Sequence, residues 1–185
     1  MNITDGTDRA FPAALAEVAG VDFYTDRYQI VDEDGDEDHR YDFEPDADFK
    51  SAEWTTQLFR DWTGNAEADG DAYRVFGQDG AGGRAMIWCA RPGHPLTDQP
   101  VVFLGSEGEC GMVAGSLSDF LWVLADGYGP REAALAVDLT SAPDELLTRI
   151  AERHATTPRR TAEEVVTAAR AEFPSFKEDV YALCR

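Results

Sequence analysis

The amino-acid sequence predicts an α+β fold, with an antiparallel sheet of four or more strands flanked by N-terminal and C-terminal helices. Three observations support it: hydrophobic spacing changes from helical to strand-like near residue 73, four short apolar segments joined by turn residues follow, and helical spacing returns after residue 116. The chain has 185 residues, 43% of them hydrophobic, which is enough for one sizeable core. We therefore expect a single domain spanning residues 1–185.

The first 48 residues are predicted to form an acidic N-terminal segment with one short helix. Residues 11–19 fit that helix, because Pro12 suits a first turn and Gly20 suits a left-handed cap after the last turn. Residues 24–31 fit a strand or a packed loop. The run 32–38 holds six carboxylates in seven residues. Because so many charges cannot pack together at neutral pH, we expect a solvated loop there.

The middle of the chain, residues 49–130, carries the clearest periodic patterns. Its first apolar residues have helical spacing, and this helix is predicted to be capped by Ser51 and ended by Gly64. Strand-like segments come next, and another helix is predicted between Ser116 and Gly127. The predicted strands cover residues 73–76, 85–89, 100–104 and 111–114.

Residues 131–185 are predicted to contribute the C-terminal helices. Helical spacing covers residues 143–155 and 161–173. Thr161 and Glu164 have the spacing of a capping box, in which each side chain accepts a backbone N–H near the start of the helix. We expect these helices to pack as a pair or hairpin.

The charge of the chain excludes several classes of ligand. There are 16 basic and 36 acidic residues, so the net charge is −20. Such a charge repels phosphate backbones and anionic lipid, and we expect neither direct nucleic-acid binding nor membrane binding. Residues 1–50 alone carry 15 acids and 4 bases, so the N-terminal segment generates most of the field.

The N-terminal residues, the apolar runs and the cysteines indicate the cellular compartment of the protein. The first six residues show neither the basic nor the apolar region of a signal peptide, and the apolar runs are too short to span a membrane. We therefore expect a cytoplasmic protein. Its three cysteines, Cys89, Cys110 and Cys184, are far apart and include no C-x-x-C pair. They are interpreted as reduced, mostly buried thiols.

Two loops invite comparison with ligand-binding motifs, and both comparisons are poor. Asp32, Asp34 and Asp36 have the spacing of the first three ligands of a calcium loop, but the glycine and glutamate that complete such a loop are missing. Weak cation binding and an interaction patch stay as alternatives to a plain solvated loop. Residues 77–83 are rich in glycine but lack the lysine and hydroxyl residue of a phosphate loop. We expect no metal and no cofactor.

The sequence also lacks the pattern of a catalytic site. Ser106 lies in Gly-Ser-Glu-Gly, which is not the G-x-S-x-G elbow of a serine nucleophile, and the three histidines lie in separate segments. Glu107 and Glu109 have the spacing of a possible acid–base pair, but alternate residues of a loop between strands usually face water. We therefore expect that the protein is not an enzyme.

Several short motifs follow one another in the middle segment. After the helix with Trp54 and Trp62 come Tyr-Arg-Val-Phe-Gly-Gln-Asp-Gly at 73–80, Pro-Val-Val-Phe-Leu-Gly-Ser-Glu-Gly-Glu at 100–109 and Leu-Ser-Asp-Phe-Leu at 117–121. In this order they resemble the SUKH superfamily, named in part for the yeast cell-wall assembly regulator and abundant in bacterial toxin-immunity loci. The resemblance implies an α+β domain with a curved antiparallel sheet flanked by helices, acting as a protein-binding module.

The resemblance and the charge together favour an immunity protein that neutralises a cognate bacterial toxin. If the toxin is a nuclease, it carries Lys and Arg to hold phosphate, and an acidic partner is steered to that surface and covers it. The alternatives are a cytoplasmic adaptor for a resident host protein, and a small-ligand binder or enzyme with a convergent polar pocket. The candidate partner-binding residues are the acids of two loops, Asp32, Glu33, Asp34, Asp36, Glu37, Asp38, Glu107 and Glu109.

Overall fold

A computed structural model gives the structure of the chain. It describes residues 9–25, 29–31, 37–39, 41–136 and 141–185. In these residues, a two-stranded ribbon pairs β1 (Gln29–Val31) with β2 (Glu37–His39). A larger sheet has five antiparallel strands lying side by side in chain order: β3 (Glu44–Pro45), β4 (Tyr73–Gln78), β5 (Arg84–Trp88), β6 (Val101–Leu104) and β7 (Cys110–Ala114).

Helices complete the regular structure of the described residues. They are α1 (Ala13–Val18), α2 (Ala52–Thr63), α3 (Leu117–Ala125), α4 (Pro130–Leu135), α5 (Glu145–His154), α6 (Ala162–Glu172) and α7 (Phe176–Tyr181). The combination of an antiparallel sheet with helices before and after it confirms the predicted α+β fold.

Helices cover both faces of the larger sheet. Successive residues of a strand point to opposite faces, and on one face Ile87 and Phe103 pack with α1, α3 and α5. On the other face Met86 and Val102 pack with α2 and α7, while α6 contributes to both clusters. All four residues of β6 are buried as a result. This explains why the strand is a continuous apolar run and not an alternating one.

Local capping signals explain where the central helices begin and end. The Ser51 Oγ accepts a hydrogen bond from the backbone N–H of Trp54 at 3.1 Å, and Gly64 ends α2 with a φ of 64°. Ser116 caps α3 in the same way through the N–H of Asp119, also at 3.1 Å, and Gly127 follows α3 with a φ of 100°. Both helices were predicted from these residues, and both predictions are confirmed.

A buried carboxylate connects the C-terminal helices to α3. Asp126, directly after α3, accepts hydrogen bonds from the Ser141 hydroxyl at 2.6 Å and from the backbone N–H of Ala162 at 2.8 Å. Ala162 is the first residue of α6, whose predicted capping box between Thr161 and Glu164 is present. Asp126 therefore fixes the start of α6 relative to the end of α3.

The sequence analysis missed some short elements and misplaced one cap. Neither α4 nor α7 was predicted: six residues make less than two helical turns and show little periodicity, and the predicted α1, which is equally short, was recognised from its flanking Pro12 and Gly20. Gly20 does not adopt the predicted left-handed conformation; α1 ends at Val18, and Ala19 remains right-handed. Within the segment predicted as a strand or a packed loop, residues 29–31 form the strand β1, whereas the short strands β2 and β3 were not predicted.

Candidate functional site

The strand register places several acidic residues at one end of the larger sheet. Arg84, the first residue of β5, pairs with Leu104, the last residue of β6, so the β4–β5 and β6–β7 turns lie at the same end. Glu44 of β3 pairs with Gln78, the last residue of β4, so the chain also enters β3 from this end. We name residues 41–43, 79–83 and 105–109 the acidic end.

The β1–β2 ribbon connects directly to the acidic end, since β2 ends at His39 and the acidic end begins at residue 41. Glu37 and Asp38 belong to β2 and pair with residues of β1. The prediction of a solvated loop is therefore wrong for these two residues. Acidic residues can belong to a strand because strand pairing uses the backbone N–H and C=O groups, which they also have. The other candidates of this run, Asp32, Glu33, Asp34 and Asp36, lie outside the described residues.

Glu107 and Glu109 lie in the β6–β7 turn and play different roles. Glu107 is exposed. Glu109 folds back over the turn, where its Oε2 accepts a hydrogen bond from the backbone N–H of Glu107 at 3.0 Å and its carbonyl oxygen accepts one from Gly105 at 2.7 Å. Glu109 thus stabilises the turn, which leaves Glu107 as the carboxylate of the two that faces water.

Tyr24 and Asp42 form a further feature of the acidic end that the sequence analysis did not predict as a site. Tyr24 is 43% exposed, and its hydroxyl donates to the Asp42 Oδ1 at 3.3 Å. The same oxygen accepts the backbone N–H of Gly80 at 2.7 Å. Desolvation of the Tyr24 hydroxyl and then the charge of Asp42 raise the pKa of Tyr24 to about 12. The hydroxyl therefore remains a hydrogen-bond donor at neutral pH.

An exposed tryptophan on α2 has the opposite electrostatic surroundings. Trp54 is 38% exposed. The Lys50 ammonium lies 5.9 Å from its ring centroid, and the Arg84 guanidinium lies 5.3 Å from it. Both cations are near enough for cation–π attraction. Tyr24 and Trp54 are thus two exposed aromatic residues that differ in the sign of the charges beside them.

A polar cleft lies at the start of α3, away from the acidic end. Its volume is about 290 Å³, and three of its charged side chains, those of Arg91, Asp119 and Glu172, form ion pairs within the protein. Arg91 contacts Glu172 at 2.5 Å, and Asp119 contacts Arg160 at 2.6 Å. Because these ion pairs occupy much of the charged lining, the cleft is a weaker candidate for a small-molecule site than a pocket with several unpaired convergent groups.

Ser118 and His154 make contacts that join elements of the fold. The Ser118 Oγ accepts the backbone N–H of Thr156 at 2.6 Å, which makes it a connection between α3 and the α5–α6 linker. His154 contacts Glu17 at 2.6 Å. His94 lines the cleft, and Ser106 lies exposed in the β6–β7 turn. His39 belongs to β2.

The three cysteines form no disulfide with one another, as predicted, but they differ in exposure. Cys110 is buried, Cys89 is half-buried and Cys184 is exposed. The prediction of mostly buried thiols is therefore wrong for Cys184, which follows α7 near the end of the chain.

No family model, curated protein or solved structure matches this chain. The resemblance to the SUKH superfamily consequently stays a prediction that rests on the motifs between residues 49 and 130. The α+β fold itself does not depend on it, since the five-stranded antiparallel sheet and its helices are observed directly.

The described residues contain neither a metal-binding cluster nor a membrane-spanning helix. In the described ranges, no three or more His, Cys, Asp or Glu side chains are grouped so that they could hold a metal ion. Among the helices of the described residues, none has both the length and the apolar character needed to cross a bilayer.

Proposed function

We propose that the protein is a non-catalytic binding module whose acidic end docks on a basic surface of a partner protein. The observation that carries the proposal is the convergence of three features at that end. These are the exposed Tyr24–Asp42 pair, the exposed carboxylate of Glu107, and the attachment of the β1–β2 ribbon. An aromatic ring beside carboxylates suits an Arg or Lys side chain, which can stack on the ring and pair with the acid.

The charge of the whole chain supports this proposal through the rate of association. A net charge of −20 attracts a basic surface over roughly one Debye length, about 8 Å at physiological ionic strength. Of the acidic residues, 15 lie in residues 1–50, so the N-terminal segment makes the largest contribution to this attraction. Long-range charge mainly raises the association rate, whereas a buried aromatic contact mainly slows dissociation. The two kinds of contribution can therefore be measured separately.

The partner that best fits these requirements is a basic toxin, with this chain as its immunity protein. A nuclease toxin must present Lys and Arg around its phosphate-binding site, and a carboxylate-rich surface that covers this site would block substrate. The motif order that resembles the SUKH superfamily supports the same proposal. A resident host protein bound by an adaptor is the alternative, and it would need no basic catalytic surface.

The experiment begins with capture of partners of the tagged chain from its own organism at low and high salt. Association and dissociation rates are then measured with the purified partner. We expect Tyr24→Ala to weaken binding by about 10-fold or more, mainly through faster dissociation, because an aromatic anchor at an interface contributes on the order of 2 kcal/mol. Trp54→Ala is the matched control, and we expect it to bind like the wild type.

A second variant tests the electrostatic contribution. Replacing Asp32, Asp34 and Asp36 together by Asn should reduce the association rate by roughly 10-fold at low salt and by much less at high salt. If Tyr24→Ala binds like the wild type, the interface lies elsewhere, and if Trp54→Ala weakens binding as strongly as Tyr24→Ala, the contact is not specific to the Tyr24–Asp42 pair. If the captured partner is a nuclease that the wild-type chain inhibits and Tyr24→Ala does not, the immunity role is supported. A partner without toxic activity would favour the adaptor.

A further inference from the structure

Glu132, near the start of α4, has an unusual position for an acidic side chain. Its Oε2 atom is buried, and among the described residues it has no hydrogen-bond partner. The residue as a whole is only half-buried, so a short path leads from the buried position of the carboxyl group to solvent. A carboxylate in such a position is unfavourable when it is charged, because burial removes its hydration.

The space that holds this carboxyl group exists because residue 129 is glycine. A Cβ atom on Gly129 would stand 2.4 Å from the Glu132 Oε2. The φ of Gly129 is −75°, a value that any residue can adopt, so the backbone itself does not require glycine here. The absence of a side chain at residue 129 therefore gives room to the Glu132 carboxyl group.

Charged groups from three parts of the chain surround Glu132. Asp79 of the β4–β5 turn accepts the backbone N–H of Gly83 at 2.6 Å and lies 3.6 Å from the Nε of Arg131. Asp42, from the segment that enters β3, accepts the N–H of Gly80 at 2.7 Å. Both neighbouring carboxylates thus accept a backbone hydrogen bond, and Arg131 is the cation that α4 itself supplies.

These surroundings disfavour a second buried anion. Desolvation, and then the charges of Asp42 and Asp79, raise the pKa of Glu132 to about 7, although its own backbone N–H and Arg131 act in the opposite direction. The carboxyl group is therefore largely protonated in mildly acidic solution and largely ionised above neutral pH.

We propose that Glu132 is a proton-operated latch between α4 and the acidic end. When it is protonated, the carboxyl group occupies the space beside Gly129 and α4 packs against residues 42 and 79. When it is ionised, the side chain turns out to solvent and the first turn of α4 loosens.

The sign of the pH dependence follows from the raised pKa. The stabilisation is fully present below the unfolded-state pKa of about 4.5 and is lost as the pH rises through about 7. The latch is therefore closed in mildly acidic solution and opens in alkaline solution. This inference concerns the fold alone and does not depend on the proposed binding function.

Two variants hold the latch in opposite states. Glu132→Gln has nearly the same shape without the charge, and it should keep α4 closed at every pH. Gly129→Ala fills the space beside the carboxyl group, and it should keep α4 open at every pH without changing any charge. Each variant should remove the pH dependence, but for opposite reasons.

The measurement is amide hydrogen exchange of residues 129–135 in the full chain from pH 5 to pH 8. For each residue, the exchange rate of the protein under test is divided by the rate of the same residue in Glu132→Gln at the same pH. The pH dependence of the chemical exchange reaction itself then cancels. We expect a ratio that is small at pH 5, rises by up to about tenfold per pH unit and levels off above about pH 7, because linkage acts between the pKa of the open state, about 4.5, and the raised pKa of the closed state. Gly129→Ala should show a raised ratio throughout.

An NMR titration of the Glu132 side-chain carboxyl carbon supplies a second, independent readout. Its signal is assigned by its absence in Glu132→Gln, and we expect a midpoint near pH 7. A midpoint near that of a free glutamate, or an exchange ratio that stays constant with pH, would overturn the latch. Binding measurements with a partner protein do not enter either test.

Discussion

Gly111 on β7 lies where α4 approaches the sheet most closely. A Cβ atom at this position would stand 2.5 Å from the carbonyl oxygen of Ala134. That oxygen belongs to the backbone of a packed helix and cannot move aside as a flexible side chain can. The identity of a single residue therefore sets the distance between α4 and the sheet.

Gly111→Ala should consequently destabilise the fold. We expect a loss of about 1–3 kcal/mol in the free energy of unfolding, the range for forcing an extra carbon into a packed site. Chemical denaturation measures this loss. Gly115→Ala is the matched control, because its Cβ would meet its nearest neighbour at an ordinary 3.6 Å. If the two variants are equally stable, α4 is free to shift away from β7.

At the scale of elements, the capping box of α6 gives a second prediction. Thr161 accepts the backbone N–H of Glu164 at 3.2 Å, and Glu164 accepts that of Thr161 at 2.9 Å. Thr161→Ala removes one partner and should reduce the free energy of unfolding by about 1 kcal/mol. Thr167→Ala, an exposed change in the middle of the same helix, should be neutral or slightly stabilising. A loss of equal size in both variants would mean that the cap contributes nothing specific.

Comparison of the predicted elements with the observed ones shows which kinds of element a sequence can predict. The caps of α2, α3 and α6 were found because Ser51, Ser116 and Thr161 act on residues three positions away, within one helical turn. The strands β4 to β7 were found because their apolar runs end at turn residues. Short elements such as α4 depend on contacts with other parts of the chain and carry no pattern of their own.

Only part of the candidate site could be predicted from the sequence, because several of its contacts join residues that are far apart in the chain. Glu107 was recognised as an exposed acid of a turn, but the inward fold of Glu109 over the same turn was not. The Tyr24–Asp42 contact joins residues 18 positions apart, and the Asp42–Gly80 contact joins residues 38 positions apart. Neither separation matches a helical or strand period, so tertiary packing alone brings these groups together. The buried carboxyl group of Glu132 could not be inferred from its neighbours in sequence either.

At the scale of the whole molecule, the net charge of −20 predicts a stability that increases with salt. Raising sodium chloride from about 10 to about 150 mM shortens the Debye length from about 30 to about 8 Å and screens the repulsion among carboxylates. We expect the free energy of unfolding to rise by on the order of 1 kcal/mol. Thermal or urea unfolding across the salt series measures it.

Substitution of acidic residues tests directly whether their mutual repulsion causes the increase of stability with salt. Replacing Asp32, Asp34 and Asp36 by Asn should make the gain from salt smaller, while an uncharged osmolyte at equal osmolality should not reproduce the salt series. A stability that falls with salt would contradict the prediction. It would mean that ion pairs such as Arg153 with Glu17 outweigh the general repulsion.

Because helices cover both faces of the larger sheet, the core is separated from the turns at the acidic end. Residues such as Tyr24 and Glu107 can be exchanged without creating a cavity or exposing a strand face. Evolution can therefore alter the proposed recognition surface in small steps while the architecture beneath it stays constant. A lineage built on this scaffold could follow a changing partner residue by residue, with each intermediate still folded.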